Sequence, residues 1–440
     1  MNPSQPNSRG TAVSILQDIL EDGAYANIAL RKTLGESTLD SRDRAFVTEL
    51  VNVTLRNLLS IDTVINHFSS FPVSQMKPFI RNLLRVSMCQ LRHIEKTPES
   101  AAVNEAVNLA KSGGYAGLSG FVNGVLRASI RKPEEPPMPK EGSPDFLARR
   151  FSYPSWLAAH LVQWLGKEDA AYFCEMSHMP PPVTVFPNTV KISSADLATR
   201  LEAEGATATP IENGFLELRS MGDIAKLPSF LEGLFFVMDP GAMYSVRALG
   251  LVPGQTVIDL CAAPGGKSFA AASAMGNTGL VHAFDVHPHR AGLVRDTARK
   301  LGLTSIAAKT KDALEFDSGL QADAVILDAP CTGFGTIRKR PEIKYNRHPR
   351  DIGDLAKKQR EMLAVAAKYV KPGGKLVYST CTVAREENIE NIRWFLSKHS
   401  FTMVAPESPN MRHIIEEDCL LILPGKYNDG FFIAAMERTQ

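Results

Sequence analysis

Residues 257–268 read VIDLCAAPGGKS. An apolar run suited to a buried strand gives way to small residues and then to a stretch that opens a helix. Such a loop, at the carboxyl end of a first parallel strand, lets a ligand come close to backbone N–H groups. The spacing is neither GxGxxG nor GxxxxGK[ST], which argues against a dinucleotide enzyme and against an NTPase. Outward from this loop, from about 236 onward, buried strands alternate with helices. The expected strands are 256–261, 280–285, 305–309, 322–328 and 374–380, and the expected helices include 287–301 and 354–370. This alternation predicts an α/β domain with a parallel sheet and crossover helices.

Two aspartates follow in order. Asp285 closes the second strand, 19 residues beyond Gly266, where a carboxylate can accept from both hydroxyls of a ribose. Asp312 follows the third strand, where an adenine edge would lie. Taken singly, each is a turn former or a helix cap. In this order, behind this loop, they imply an adenosine-bearing ligand.

The fourth strand runs into ILDAPCTGFG (326–335) and the fifth into LVYSTCT (376–382), so Asp328, Cys331 and Cys381 reach the same sheet edge as the loop. A buried structural cysteine is the competing reading for either sulfur. Methylating a pyrimidine at carbon 5 needs this equipment, because that carbon is a poor nucleophile until something adds to carbon 6. A thiolate suits the addition, being strongly nucleophilic and able to leave again. A carboxyl group beside the base can contact N3 and stabilise the charge that develops there, and Asp328 is placed for this. Local chemistry decides neither which cysteine attacks nor which base takes the carbon-5 proton.

The 440 residues leave room for about three domains of ~150 residues. With 44% hydrophobic and 22% charged residues the composition is ordinary and globular. Net charge is only +2, so any field that attracts nucleic acid has to come from local clustering. No run approaches the ~18 apolar residues of a membrane helix, and the polar start at 1–10 lacks a signal-peptide core. The cysteines at 89, 174, 261, 331, 381 and 419 show no CxxC spacing. Free thiols in a reducing cytoplasm, no membrane and no metal are therefore expected.

From about 11 to 130 the apolar spacing is helical. Ile80, Leu83, Leu84 and Leu91 share one face, as do Val47, Leu50, Val51, Leu55 and Leu58, with short connections such as Lys96-Thr97-Pro98. Arg81, Arg85 and Arg92 form a stripe beside the first face, suited to phosphate contact or to plain solvation. Residues 132–144, KPEEPPMPKEGSP, read as a semi-rigid linker. Residues 145–235 read as a small α+β module, helical around 156–165, with β-like runs at 183–186 and 215–218. Between the cysteine motifs, GTIRKRPEIKYNRHPR (335–350) sets Arg338, Lys339, Arg340, Lys344, Arg347 and Arg350 around Tyr345 without an apolar period. Such interleaving suits phosphate pairing and base stacking on single-stranded RNA.

The motifs CAAPGGK (261–267), DAPCTG (328–333), STCT (379–382), EEN (386–388) and DGFFIA (429–434) resemble those of the RNA cytosine-C5 methyltransferases. RDRAFVTELVNVTLRN (42–57), with AAVNEAVNLAK and GFVNGVLRA within 101–128, resembles the NusB-like domain of the RsmB (Sun/Fmu) branch, whose substrate is small-subunit (16S) ribosomal RNA. Nearly the whole chain is covered. The resemblance implies a Rossmann-like class I methyltransferase domain over 236–440, with a mostly parallel seven-stranded sheet. Ahead of it come an all-helical NusB-like RNA-binding domain (1–131), the linker (132–144) and an α+β RNA-recognition module (145–235).

The resemblance further implies S-adenosyl-L-methionine as cofactor, 16S rRNA or a small-subunit assembly intermediate as partner, and a monomer. It makes Cys381 the nucleophile and gives Cys331 to product release. Cofactor contacts fall on Cys261, Ala262, Ala263, Pro264, Gly265, Gly266, Lys267, Asp285, Asp312 and Asp328. The chain departs from the family pattern at Thr332, usually Ser, and at Phe334, usually Thr. It departs again at Val185-Phe186-Pro187-Asn188, where an Arg-Val-Asn strand is common. Two other readings stand beside this one: the same chemistry on transfer RNA, and an RNA-binding assembly factor whose chemistry is lost. Both cysteines, Asp328 and the cofactor loop are retained, which speaks against loss.

Overall fold

The computed structural model describes residues 7–94, 98–132, 136–220, 222–317 and 319–439. The first six residues, the expected turn at Lys96-Thr97 and Pro133–Glu135 of the expected linker lie outside the described residues. The chain forms two compact units. One comprises Met1–His178 with Ile337–His348, the other Met179–Thr336 with Pro349–Gln440.

The first unit is helical: α1 (Ser8–Leu20), α2 (Ala26–Glu36), α3 (Ser41–Arg56), α4 (Leu58–Phe68), α5 (Pro78–His93), α6 (Glu99–Ala110), α7 (Ser119–Arg131), α8 (Pro144–Phe151) and α9 (Ser155–His178). Helix starts follow local chemistry. The Asn7 side chain accepts from Arg9 N and Gly10 N, and that of Asp40 from Asp43 N. Pro78 opens α5, where its missing N–H costs nothing. Val47, Leu50, Val51 and Leu55 on α3 and Ile80, Leu83 and Leu84 on α5 enter one core, with Leu91 partly buried against it. Leu58 belongs to α4, because the backbone leaves the helical region at Asn57.

Compactness does not end at the proline run. Ser152 Oγ accepts from Leu59 N at 2.7 Å and Ser60 Oγ donates to Arg149 O at 3.1 Å, so α8 is bonded to α4 and the unit ends at His178.

In the second unit, β1 (Val183–Pro187), β2 (Thr207–Pro210), β3 (Leu216–Arg219) and β4 (Phe235–Val237) form an antiparallel sheet in the order β2-β3-β1-β4. Helix α10 (Ser194–Ala203) packs Leu197 and Leu201 into its core, and the short α11 (Pro228–Leu231) precedes β4.

The larger sheet begins after α12 (Pro240–Arg247). Its first strands and helices are β5 (Thr256–Asp259), α13 (Gly266–Ala274), β6 (Leu280–Asp285), α14 (Pro288–Leu301), β7 (Ile306–Thr310) and β8 (Ala322–Asp328). The connection after β8 carries α15 (Ile343–Asn346), which lies in the first unit. Then come α16 (Pro349–Tyr369), β9 (Val370–Thr380), α17 (Ile389–Leu396), β10 (Phe401–Val404), β11 (His413–Glu416), β12 (Cys419–Ile422) and β13 (Phe431–Arg438).

Strands β7-β6-β5-β8-β9 are parallel and β13 pairs antiparallel with β9. Among the described residues the sheet has nine strands, not seven, because the hairpin β11–β12 adds two beside β13, next to the stretch that pairs with β10. Both faces are covered. Ala270, Ala271, Val294 and Leu301 pack on one side, Met362, Leu363, Ile392 and Phe395 on the other, which is why the parallel strands read as unbroken apolar runs. Strand order reverses between β5 and β8, and ligands in open α/β sheets bind at the carboxyl edge of such a switch point.

Candidate active site

The loop after β5 is shaped by two constraints. Gly265 has φ +116°, and a Cβ there would stand 2.2 Å from the Phe269 ring. Only glycine fits, and the backbone is left bare at the start of α13. Beneath it Asp259, at 1% exposure, accepts from Ser268 Oγ at 2.7 Å, and burial pushes its carboxyl up to about 6.

Lys267 turns inward. Its Nζ lies 2.7 Å from Asp328 Oδ2, and Ser379 Oγ donates to Asp328 Oδ1 at 2.8 Å. Burial is the largest influence and works against the ammonium, but Asp328, Asp259 and Cys381 together more than offset it, so the Lys267 pKa is raised. Lys267 stood among the expected cofactor contacts; in the structure its amino group is directed at the aspartate expected to face the base.

The two sulfurs meet. Cys331 Sγ and Cys381 Sγ are 3.3 Å apart, and neither residue is sealed in the interior, both being half-buried. The hydrogen bond to Cys381, then burial, then the charges of Cys381, Glu387 and Asp328 raise the Cys331 pKa well above the ordinary thiol value. Two thiols in contact do not both ionise readily.

Behind the sulfurs lies a network whose one hint at the level of motifs is EEN (386–388). Glu387, fully buried, accepts from Thr332 N at 3.0 Å, from Thr332 Oγ1 and from Gln359 Nε2 at 2.8 Å. Gln359 Nε2 also donates to Pro330 O at 2.9 Å. Thr332 Oγ1 and Thr382 Oγ1 are 2.7 Å apart, so Thr332, standing where serine is usual, buries its extra methyl and keeps the hydroxyl contact. Gln359 carried no signal of its own on an amphipathic helix. The DGFFIA segment closes the site from below: a Cβ on Gly335 would stand 2.2 Å from Gly430 O, and Gly335 N donates to Cys381 O at 2.9 Å.

Asp285 is 3% exposed at the end of β6, and its Oδ1 accepts from His287 N at 3.0 Å. Arg290 approaches Asp285 Oδ2 at 3.4 Å while donating to Ala263 O at 2.9 Å, which ties the acid to the glycine loop. Asp312 follows β7, half-buried, its Oδ1 capping Leu314 N at 2.9 Å. In strand order the edge thus carries Asp312, Asp285, the 261–267 loop, Asp328 and Cys381. This donor set fits an adenosine-bearing sulfonium laid along the edge: carboxylates where adenine and ribose need acceptors, a bare backbone in the middle, and thiols at the far end. Cys261 is half-buried, and burial with the nearby carboxylates Asp259, Asp328 and Asp285 pushes its thiol well above the ordinary value.

The basic residues fall elsewhere. Arg85 is 8% exposed and bidentate to Asp62, both bonds at 2.7 Å, while Arg81 pairs with Glu21 at 2.6 Å. Arg338 and Lys344 are each 2% exposed. Lys344 Nζ donates to Arg56 O at 2.9 Å and Phe151 O at 3.2 Å, and Tyr345 Oη donates to Leu55 O at 2.8 Å. Arg85, Arg338 and Lys344, expected to contact phosphate, are thus buried in the structure: charge pattern alone cannot tell a buried pin from an exposed arm. Lys339 is exposed, and Arg340 and Arg347 are half-buried. Among the described residues no cluster suited to a metal ion occurs, and no helix is long and apolar enough to cross a membrane.

Comparison with known proteins agrees with this layout. Residues 246–437 match the model of the 16S rRNA methyltransferase RsmB/F family, 6–131 that of the NusB family, and 153–223 that of an RsmF/B-like ferredoxin-like domain. The chain is 37% identical to the probable ribosomal RNA small subunit methyltransferase B of Bacillus subtilis (strain 168), over 98% of each chain. It is 33% identical to the protein of the same description from Synechocystis sp., over 98% of this chain and all of that one. Among solved structures, PH0851 superposes with a TM-score of 0.82 at 27% identity over 99% of both chains. A methyltransferase homolog protein from Pyrococcus horikoshii gives 0.59 at 30% identity, over 66% of this chain and 97% of that one.

Proposed function

Because the chain belongs to the RsmB/F family of 16S rRNA methyltransferases, in the form that carries a NusB domain, we propose that it methylates carbon 5 of a cytosine in small-subunit ribosomal RNA, with Cys381 as covalent nucleophile. The observation that carries this is the contact of two thiols at 3.3 Å beside the Lys267–Asp328 pair. Transfer RNA as substrate has no feature of its own here to favour it.

S-adenosyl-L-methionine, held by the 261–267 loop, Asp285 and Asp312, supplies an electrophilic methyl group. The chain's own residues do the rest. Cys381 adds to carbon 6, which makes carbon 5 nucleophilic. Asp328 lies beside N3, where negative charge develops, and the Lys267 ammonium paired with it supplies the balancing positive charge. After methyl transfer a base takes the carbon-5 proton. The C–H pair rebuilds the double bond, and the bond from carbon 6 to sulfur breaks with its electrons on Cys381. The Cys331 S–H, 3.3 Å away, stabilises that departing thiolate by hydrogen bonding. A flipped-out base is required if the target lies in paired RNA. The protein acts as a cytoplasmic monomer, with Lys339, which is exposed, and Arg340, Arg347 and Arg81, which are half-buried, the basic residues assigned to phosphate contact.

The test is a denaturing gel of enzyme mixed with unmodified small-subunit rRNA and methyl donor, with bisulfite mapping of the product. Cys331→Ala should accumulate covalent adduct and Cys381→Ala should form none. The reverse pattern would show the assignment to be backwards. Methyl groups found only in transfer RNA would move the substrate.

A further inference from the structure

The buried carboxylate of Glu387 takes donors that lead to the segment that carries Cys331. Burying a carboxylate is costly unless it is fully hydrogen-bonded. Glu387 meets that condition with two donors from Thr332 and one from Gln359. Gln359 reaches on to Pro330 O, so the residues on both sides of Cys331 are pinned by one acid and one amide. The anchor points belong to the framework of the other cysteine. Gln359 sits on α16, which packs on β8 and β9, and Glu387 follows β9 by a short turn whose backbone is held by Tyr378 Oη donating to Glu387 O at 2.6 Å. The neighbouring Asn388 donates to Thr382 O at 2.9 Å and accepts from Thr380 Oγ1 at 2.6 Å, bracketing Cys381. With the Thr332 hydroxyl donated to Glu387, the 2.7 Å contact between the two threonines has one polarity, from Thr382 to Thr332.

We infer that Glu387 is a positioning residue for the release half of the reaction, fixing Pro330 to Thr332 so that the Cys331 sulfur stays against Cys381. This rests on the reading of Cys381 as nucleophile. The contacts single out release because they hold the Cys331 loop, whereas Cys381 is placed by β9 itself and by the Asn388 bonds to Thr380 and Thr382 on either side of it. Displacement of the loop removes the S–H that faces the departing sulfur and leaves the attacking thiolate in place. The Glu387 charge also helps keep the Cys331 proton on, as the third kind of contribution after the Cys381 contact and burial.

The experiment uses the full chain, unmodified small-subunit rRNA and labelled S-adenosylmethionine in single turnover, and follows adduct formation and decay separately on a denaturing gel. Glu387→Gln keeps the shape and loses one acceptor, Thr382→Val removes the hydroxyl link without leaving a buried charge, and Thr382→Ser restores the hydroxyl. Glu387→Gln and Thr382→Val should form adduct within about threefold of the wild-type rate and release it roughly tenfold more slowly, the scale of one lost charged hydrogen bond. Thr382→Ser should release it normally. Formation and decay falling together, or decay unchanged, overturns the inference. If Glu387→Gln does not fold, the two Thr382 variants decide alone. An adduct formed by Cys381→Ala on the same gel overturns the nucleophile assignment instead, an outcome that no Glu387 variant can produce.

Discussion

Lys267 Nζ stands 2.7 Å from Asp328 Oδ2, so the last residue of the glycine loop and the last residue of β8 form one ion pair across the switch point of the sheet. The pair joins the donor-binding half of the edge to the base-binding half. Lys267→Met should lower the rate of adduct formation roughly 10²–10³-fold, the usual loss for one preorganised electrostatic group. Lys267→Arg should recover part of it. Single-turnover gels at saturating RNA check this, and a Lys267→Met enzyme with wild-type formation would remove the lysine from the chemistry.

Two sulfurs already in contact are open to coupling. Diamide, which accepts the two hydrogens lost when thiols join, should link Cys331 to Cys381 and abolish methyl transfer, and dithiothreitol should restore it. Peptide mapping under non-reducing conditions reads the crosslink. Thiols found unjoined in an inactivated enzyme would count against the geometry.

Arg85 and Asp62 are a nearly buried bidentate pair, with Arg85 Nη1 also donating to Asn82 Oδ1 at 2.9 Å. Arg85→Ala leaves the acid uncompensated and should cost about 3–5 kcal/mol in urea unfolding. It should leave the salt dependence of RNA binding alone, whereas loss of a true phosphate contact lowers that slope by about one. A flattened slope with unchanged stability would restore the phosphate reading.

Lys344 is held down to about 7 by burial, opposed by Cys174 and reinforced by Arg56. A lysine whose folded pKa lies below its unfolded value of about 10.4 binds more protons when unfolded, so stability rises with pH between the two values. From pH 7 to 9 the wild type should gain on Lys344→Met by on the order of 1 kcal/mol per pH unit. The thiols of Cys89 and Cys174, raised to about 12 by burial, act in the opposite sense only above the ordinary thiol range. Parallel unfolding curves for the two proteins across that window would show the ammonium to be solvated.

Much of this was readable from residue order. Strands 280–285 and 322–328 fall where alternation and flanking polar residues put them, because buried parallel strands leave long apolar runs with sharp ends. The positions of Asp285, Asp328, Cys331 and Cys381 follow from those ends. Lys267 was legible as part of a motif but not as a partner of Asp328, since only the twist of β5 against β8 brings the two together. Gln359 and Glu387 were hidden for a similar reason: their meaning lies in which loop they bond, and sequence distance carries no trace of it. The burial of Arg85 and Lys344 was not legible, because a charged side chain looks the same in a sequence whether it faces water or buried polar groups. The hairpin β11–β12 is short, and its polar residues at Glu416, Glu417 and Asp418 read as loop.

The stretch 337–348 leaves β8 just past Cys331, packs within the helical unit and returns to begin α16. There Glu342 Oε1 accepts from Ala26 N at 3.2 Å, and Ile343 and Lys344 are buried. The polypeptide is therefore threaded, not strung like beads. A fragment cut after His178 and starting at residue 179 would carry a greasy, cationic flap with nothing to shield it, and should clump or be nicked there by proteases. Domain swaps between relatives would have to exchange this patch along with the front of the chain, although almost 160 residues of sequence separate the two.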